Sequence, residues 1–126
     1  MKISKQSISQ LKKKLWIVFS KYIRERDNYT CFTCGRVGSG GGIHAGHFIS
    51  KAAGGLALYF NEDNVHAQCY HCNINLSGNQ WEYGTKLGKE KVDELYRLKN
   101  ENWKWGILEY EDKIQHYKQL CENLHQ

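Results

Sequence analysis

Two C-x-x-C pairs are the residues of this chain whose types and spacing most clearly indicate chemistry. They are Cys31 with Cys34 and Cys69 with Cys72, while a fifth cysteine, Cys121, stands alone. In a reducing compartment, paired C-x-x-C units are typical of metal ligands rather than of disulfides. Four thiolates suit a tetrahedral zinc ion, so the sequence predicts a structural zinc site formed by the four paired cysteines.

The segment between the two pairs, Gly35 to Gln68, must leave the zinc site and return to it. Because it is rich in glycine and contains many polar residues, we expect it to bury little apolar surface. Zinc binding, worth ~10–16 kcal/mol in zinc-finger peptides, can fold such a segment. This segment carries His44 and His47, and no acidic residue lies between Asp27 and Glu62. We therefore expect a zinc clamp that holds a loop bearing histidines.

His47 is the candidate general base, because an unperturbed imidazole titrates near neutral pH, at about 6.5. A nuclease needs such a base to activate water, and a cation to stabilise the phosphorane and the leaving oxygen. Asn64 could orient the base, and the side chain just after Cys72 could hold a divalent ion. From spacing alone, a purely structural histidine explains the pattern equally well.

Positive charge is concentrated at the N-terminal end of the chain, although the formal net charge is only +5. Residues 1–26 contain eight Lys or Arg and one Glu, a charge of +7, which leaves −2 for the rest. A basic end of this kind is typical of a protein that binds a polyanion, and a solvated lysine face is the alternative. The candidate DNA-binding residues are Lys12, Lys13, Lys14, Lys21, Arg24 and Arg26.

Hydrophobic periodicity predicts an amphipathic helix from roughly Ser7 to Arg26. Alternating patterns predict strands at Ile43–Ser50 and Asn64–Cys69, with an irregular loop between them. A flexible glycine turn, Gly35–Gly42, follows the first C-x-x-C, and a helical turn is expected after the second.

Two C-terminal helices are predicted, one ending near Asn100 and one from about Trp103 to Leu124. The second carries a heptad seam, which suits packing against the N-terminal helix better than a free coiled coil. A homodimer that forms through the seam is the alternative. Cys121 lies in the seam and is predicted to be a small buried hydrophobe. The seam residues are Ile107, Tyr110, Ile114, Tyr117, Cys121 and Leu124.

With 126 residues the chain is expected to form a single domain. The predicted class is α+β: a small ββα-metal core with the four-cysteine zinc site, flanked by a basic N-terminal helix and two C-terminal helices. The three parts are residues 1–28, 29–80 and 81–126. No apolar run approaches the roughly 20 residues that span a bilayer, and the short run LWIVF does not suit a secretory signal. The sequence therefore predicts a cytoplasmic protein without membrane contact.

The order C-x-x-C, then GH, then N-x-x-x-x-C-x-x-C-N resembles the zinc-containing branch of the HNH, or His-Me finger, nucleases. More narrowly, the chain resembles the NinG/Rap recombination proteins of lambdoid phages from about Tyr22 onward, over four-fifths of its length. The segments that carry this resemblance are YIRERD (22–27), CFTCG (31–35), AGHF (45–48), YFNEDNVHAQCYHCNINLSGN (59–79) and YGTKLGKEKVDEL (83–95).

The resemblance implies a nuclease acting on branched DNA, such as D-loops and Holliday junctions, in the cytoplasm of a phage-infected or prophage-carrying bacterium. It implies a general base at His47, an asparagine that supports the base at Asn64, and a helix-borne metal ligand at Asn73. His66 also matches the motif and joins the catalytic candidates without a defined role. The implied cofactors are structural Zn²⁺ and catalytic Mg²⁺ or Mn²⁺.

One position departs from the wider HNH pattern, in which an aspartate that binds the metal often precedes the base. Here that residue is Gly46, and His44 is the nearest substitute. An imidazole suits Mn²⁺ better than Mg²⁺, so His44 is a candidate ligand of the catalytic cation beside Asn73. A non-catalytic zinc-binding adaptor for DNA or protein is the alternative function, since it needs the cysteines and the charge but not these side chains together.

Overall fold

The computed structural model of the chain describes residues 7–38 and 42–125. The predicted α+β class is confirmed, because helices surround a small two-stranded sheet. The predicted glycine turn falls partly on residues 39–41, which lie outside the described residues. In chain order the elements are α1 (Ile8–Arg26), β1 (Ile43–His47), α2 (Lys51–Gly54), α3 (Leu56–Tyr59), β2 (Val65–Cys69), a π-helical turn (His71–Asn75), α4 (Gln80–Leu87), α5 (Lys89–Leu98) and α6 (Ile107–Asn123).

Helix α1 begins where the sequence predicts because its N-terminus is capped. The Ser7 hydroxyl accepts a hydrogen bond from the Gln10 backbone N–H, and the Gln10 side chain accepts one from the Ser7 N–H. This reciprocal capping box satisfies two N–H groups that the helix itself leaves free. The apolar stripe of the helix is buried at Leu11, Leu15, Phe19 and Ile23.

The two strands pair antiparallel, with Ile43 opposite Cys69 and His47 opposite Val65. Strand β1 is three residues shorter than the predicted Ile43–Ser50. It ends at His47 because the chain then turns into α2, whose first turn is capped by the Ser50 hydroxyl. His47 therefore lies at the exit of a strand, where its side chain borders the following loop.

The region predicted as an irregular loop contains the two short helices α2 and α3, and the C-terminal part has three helices rather than two. Helix α4 was not recognised in the sequence because only Tyr83 and Leu87 mark its buried side, while Trp81 is exposed. Helix α6 begins at Ile107, later than the predicted Trp103.

The heptad seam of α6 packs against α1 within the same chain. Its four central residues, Tyr110, Ile114, Tyr117 and Cys121, are buried, whereas the seam residues at both ends are exposed. The ring of Phe19 meets that of Tyr117 edge-on, with centroids 4.9 Å apart. Cys121 is a buried free thiol, as predicted.

Helix α1 also packs across the sheet, so one apolar cluster joins both long helices to both strands. Val65 of β2 is buried in this cluster, and Ala45 of β1 packs against it. A second cluster lies around Phe48 and Tyr83, and a third surrounds the paired cysteines. None of the helices in the described parts of the chain has the length and apolar character that crossing a bilayer requires.

Replacing Phe19 with alanine tests whether the α1–α6 contact stabilises the domain. Phe19 is fully buried, and truncating a buried phenylalanine typically costs about 3–5 kcal/mol through lost contacts and a residual cavity. We expect a loss of that size in denaturant unfolding of the zinc-loaded protein. The matched control is Ile17→Ala on the exposed side of the same helix, which should change stability by less than about 0.5 kcal/mol. Equal effects of the two substitutions would contradict the packing described here.

Candidate zinc centre and histidine cleft

The four paired cysteines converge as predicted. Their sulfur atoms all lie within 4.8 Å of one another, which places them to hold one metal ion. Cys31, Cys69 and Cys72 are buried, and Cys34 is exposed. The first pair lies in the turn after α1, and the second spans the end of β2 and the π-helical turn. A tetrahedral thiolate site of this kind suits structural zinc.

Several donors point at the sulfur atoms. The Cys72 N–H donates to Cys69 Sγ at 3.5 Å, and the Asn79 amide donates to Cys72 Sγ at 3.6 Å. Burial by itself would raise the pKa of the Cys31 thiol, but hydrogen bonds from Thr33 and from nearby backbone groups outweigh it and lower that pKa. These donors favour the thiolate form of Cys31, which is the form that binds a metal. Burial and the neighbouring thiols instead raise the pKa of Cys34 to about 12, and a bound cation would oppose that shift.

His47 lies between α1 and α3. Its ring stacks on that of Trp16 with centroids 5.2 Å apart, and it meets the ring of Tyr59 edge-on. Its Nε2 is 2.8 Å from the backbone carbonyl oxygen of Tyr59. Because a carbonyl oxygen can only accept a hydrogen bond, Nε2 carries the proton and Nδ1 keeps its lone pair.

The surroundings of His47 keep its ring neutral. Burial lowers its pKa to about 4, the Tyr59 carbonyl opposes this shift, and the positive charge of Lys51 adds to it. A neutral imidazole with one free nitrogen is the form that a general base requires. A negatively charged group bound beside the ring would raise this pKa and strengthen the base.

Asn64 positions His47 indirectly, through the backbone. Its side chain is fully buried, accepts a hydrogen bond from the Ile49 N–H at 2.8 Å, and donates to the carbonyl oxygens of Ile49 and Leu58. These bonds tie the chain that follows β1 to helix α3. Helix α3 also provides the Tyr59 carbonyl that fixes the imidazole. Asn64 therefore holds the two backbone segments that position His47 in place relative to each other.

His44 and Asn73 lie together, with His44 Nδ1 3.1 Å from Asn73 Nδ2. Asn73 belongs to the π-helical turn and His44 to β1, so both are held close to the zinc centre. Asn73 and His47 line one surface cleft. We refer to it as the histidine cleft, lined among others by Ala45, His47, Ser50, Lys51, Asn73 and Gln80.

His66 does not line the histidine cleft. Its ring stacks on Phe32 with centroids 4.0 Å apart, and its Nδ1 lies 3.1 Å from the Tyr83 hydroxyl. That hydroxyl donates to the Gly46 carbonyl oxygen at 2.7 Å, so the His66 ring supplies the proton of its own bond to Tyr83. These contacts give His66 a packing role that supports β1 beside the cleft.

Two lysines flank the aromatic rings that hold His47. Lys12 Nζ lies 4.3 Å from the centre of the Tyr59 ring, and Lys51 Nζ lies 4.4 Å from the centre of the Trp16 ring. A cation over an aromatic face is attracted by the quadrupole of the ring. The two ammonium groups therefore add positive charge at the edge of the histidine cleft.

The other predicted DNA-binding residues lie elsewhere. Lys14 borders a groove against α6 beside acidic residues of that helix, and Lys13 is exposed. Lys21 is 3.9 Å from Glu25, and Arg24 lies in the last turn of α1. Of the cationic residues predicted on α1, Lys12 is therefore the one that the structure brings next to the aromatic rings around His47.

Arg26 is engaged within the fold, in contrast to the exposed role that the sequence suggested. Its guanidinium forms a bidentate pair with Asp27 and donates to the carbonyl oxygens of Glu62 and Val65. Asp27 in turn accepts a hydrogen bond from the Ala67 N–H. This network fastens the end of α1 to β2 and engages four of the five guanidinium N–H groups.

Sequence reasoning missed Trp16, Tyr59 and Lys51, which surround His47. Lys51 follows His47 closely in the chain, and its position after a predicted strand was the available signal. Trp16 comes from α1, far from His47 in sequence, and no local pattern relates the two residues. Their contact depends on how α1 packs on the sheet.

Metal analysis of cysteine variants tests the zinc centre. We expect about one zinc ion per native chain, and loss of zinc with unfolding of the central segment in Cys69→Ser, because one of the four thiolates is removed. The matched control is Cys121→Ala, since Cys121 lies in the α1–α6 contact and not in the cluster. Plasma mass spectrometry and far-UV circular dichroism provide the measurement. Full zinc content in Cys69→Ser would contradict the assignment.

Comparison with known proteins identifies the family. The model of the family described as "NinG: Bacteriophage Lambda NinG protein" matches residues 1–126. The chain is 38% identical over 108 residues to Protein ninG of Escherichia phage lambda, covering 82% of this chain and 52% of that protein. It is 36% identical over 104 residues to Protein ninG of Salmonella phage P22, covering 74% of this chain and 50% of that protein.

A further relative, Protein ninG of Enterobacteria phage H19B, is 39% identical over 93 residues, which cover 70% of this chain and 45% of that protein. The chain thus spans about half the length of these relatives. No solved structure matches it. Because the family model covers the whole chain and the relatives agree with it, the chain belongs to the NinG family of bacteriophage proteins.

Proposed function

We propose that this chain is a metal-dependent DNA endonuclease of the HNH type that acts on branched recombination intermediates such as D-loops and Holliday junctions. One observation carries the proposal. His47 is held neutral, with Nε2 bound to the Tyr59 carbonyl and Nδ1 left as a base, and it lines the same cleft as Asn73. His66 is also buried with one bonded ring nitrogen, so the position of His47 in the cleft beside Asn73 is what favours a base over a packing histidine.

In the proposed reaction, His47 Nδ1 removes a proton from a water molecule, and the water oxygen attacks the phosphorus. The bond between phosphorus and the 3′-oxygen breaks, and the 3′-oxygen leaves with the electron pair and is protonated by solvent. The Tyr59 carbonyl stabilises the imidazolium that forms, because it accepts a hydrogen bond from Nε2. Asn64 keeps the Tyr59 backbone in place for this step.

Asn73 and His44 are the side chains that would hold the catalytic cation. The Asn73 amide nitrogen lies 3.1 Å from His44 Nδ1, so a shared cation would take the Asn73 oxygen and the His44 nitrogen in place of this hydrogen bond. An amide oxygen with an imidazole nitrogen suits Mn²⁺ better than Mg²⁺. A divalent cation supplies charge neutralisation for the phosphate and the leaving oxygen when it is bound.

Lys12 and Lys51 would attract the DNA backbone to the cleft. Contacts between ammonium groups and phosphates carry no sequence information, so cutting should depend on DNA structure rather than on base sequence. The phage proteins of this family act in bacterial hosts, and we place the activity in the cytoplasm of an infected or prophage-carrying cell. A homodimer would fit symmetric cleavage of a junction.

Replacing His47 with alanine tests the base. We expect cleavage of a four-way junction with Mn²⁺ or Mg²⁺ to fall by at least about 100-fold, because general base catalysis typically contributes that much. Zinc content and junction binding should not change. The matched control is His71→Ala: His71 is exposed and contacts the Asn75 side chain, away from the cleft. Normal cutting by His47→Ala would contradict the assignment of His47 as the base. Junction binding without cutting by the native protein would favour the adaptor function.

Charge substitutions on α1 and α2 test the DNA path. Lys12→Gln and Lys51→Gln should each weaken junction binding and reduce the slope of its salt dependence by about one, the effect of losing one phosphate contact. Lys14→Gln on the same helix is the matched control, because Lys14 borders acidic residues of α6. Fluorescence anisotropy across a salt series provides the measurement. An unchanged slope in the first two variants would mean that neither lysine contacts a phosphate and that both are ordinary solvated side chains.

A further inference from the structure

Gln68 of β2 is a fully buried polar residue with one unsatisfied atom. Its Nε2 donates to the Gly78 carbonyl oxygen at 2.9 Å and to the Thr33 hydroxyl at 3.1 Å. The Gly78 carbonyl can only accept, so the orientation of the amide is fixed and cannot be reversed. Its Oε1 is buried and has no hydrogen-bond partner within the described part of the chain. Buried polar atoms are almost always paired, so this oxygen requires a partner.

The unpaired oxygen points at Gly46 and Asn73. A Cβ atom placed on Gly46 would lie 2.0 Å from Gln68 Oε1 and 3.0 Å from Asn73 Oδ1. The two amide oxygens therefore converge where a side chain of residue 46 would begin. His44 is the cross-strand partner of Gln68, and its Nδ1 contacts the Asn73 amide. Three side chains from β1, β2 and the π-helical turn thus meet at one place.

Glycine at position 46 is required by this arrangement. A Cβ at this position would collide with the Gln68 amide, which could yield only by giving up its bonds to Gly78 and Thr33. An aspartate, which often stands before the base in the wider HNH pattern, would therefore displace this amide. An oxygen from the neighbouring strand occupies the space instead.

We propose that Gln68 Oε1 is a ligand of a divalent cation beside Gly46, together with Asn73 Oδ1, which borders the histidine cleft, and His44 Nδ1. The proposal deepens the proposed function and rests on it for its role in cleavage. Oxygen and imidazole donors suit Mn²⁺, and three neutral donors leave the ion with its full charge. The site should therefore bind the cation weakly alone and more tightly once a phosphate oxygen is present.

Mn²⁺ binding to the zinc-loaded full chain, followed by electron paramagnetic resonance, tests the proposal without reference to cleavage. We expect Gln68→Met, which keeps the length of the side chain but removes the oxygen, to weaken Mn²⁺ binding by at least about tenfold. The matched control is Thr33→Ser, which alters the neighbour of the Gln68 amide but keeps the hydroxyl that contacts both Gln68 Nε2 and Cys31 Sγ. Zinc content and thermal unfolding report whether each variant is folded.

Asn73→Asp keeps the test decisive if Gln68→Met folds poorly or native binding is weak. A carboxylate in place of the amide should raise Mn²⁺ affinity at least about tenfold, and Thr33→Ser in that background should retain the gain. Unchanged Mn²⁺ affinity in Gln68→Met would overturn the role of Gln68 as a ligand and would mean that a buried water or a reversed Asn73 amide satisfies Oε1. No binding by either the native chain or Asn73→Asp would also overturn the proposal.

The two proposals fail in different ways. If Gln68→Met loses Mn²⁺ while the native protein cuts no DNA, the cation site stands and the nuclease function falls. If the native protein cuts DNA while Mn²⁺ affinity is the same in Gln68→Met, the nuclease function stands and the role of Gln68 is overturned.

Discussion

The convergence of four thiolates on one point is the constraint on which the rest of the structure depends. The two C-x-x-C pairs lie at opposite ends of a long segment that, contrary to the expectation from its glycine content, buries apolar side chains such as Phe48, Leu58 and Val65. A metal ion held by the four sulfur atoms would keep the ends of the segment together and set β2 and the π-helical turn side by side. Because β1 pairs with β2, the cysteine cluster fixes the positions of His44 and His47 on β1 as well as that of Asn73 in the π-helical turn.

A second constraint is the surface of α1. Its apolar stripe packs on α6 and on the sheet, and its Trp16 ring stacks on the ring of His47. This aromatic cover removes water from the imidazole and lowers its pKa, while the Tyr59 carbonyl selects the tautomer. The same helix therefore stabilises the domain and sets the chemistry of one histidine. Arg26 and Asp27 fasten its end to β2, so the cover cannot shift independently of the strand.

The polar groups around Gly46 come together because the backbone lacks a side chain there, and not because opposite charges attract. Gly46 lacks a side chain, and the Gln68 amide fills the space that one would occupy. The candidate cation site thus consists of neutral donors in a surface that is positive at Lys12 and Lys51. A phosphate would bring the missing negative charge, which couples binding of the cation to binding of the polyanion.

The sequence by itself determined the elements with strong local signals. Spacing identified the four cysteines, the 3-and-4 periodicity identified α1 and the seam of α6, and alternation located both strands within a few residues. It also singled out His47, Asn64 and Asn73 through the motif they share. Only the tertiary structure decided which side chains surround them: Trp16 over His47, Gln68 against Gly46, and Arg26 inside the fold. These contacts join residues distant in the chain, and their geometry depends on how a helix packs across a sheet, which no local pattern encodes.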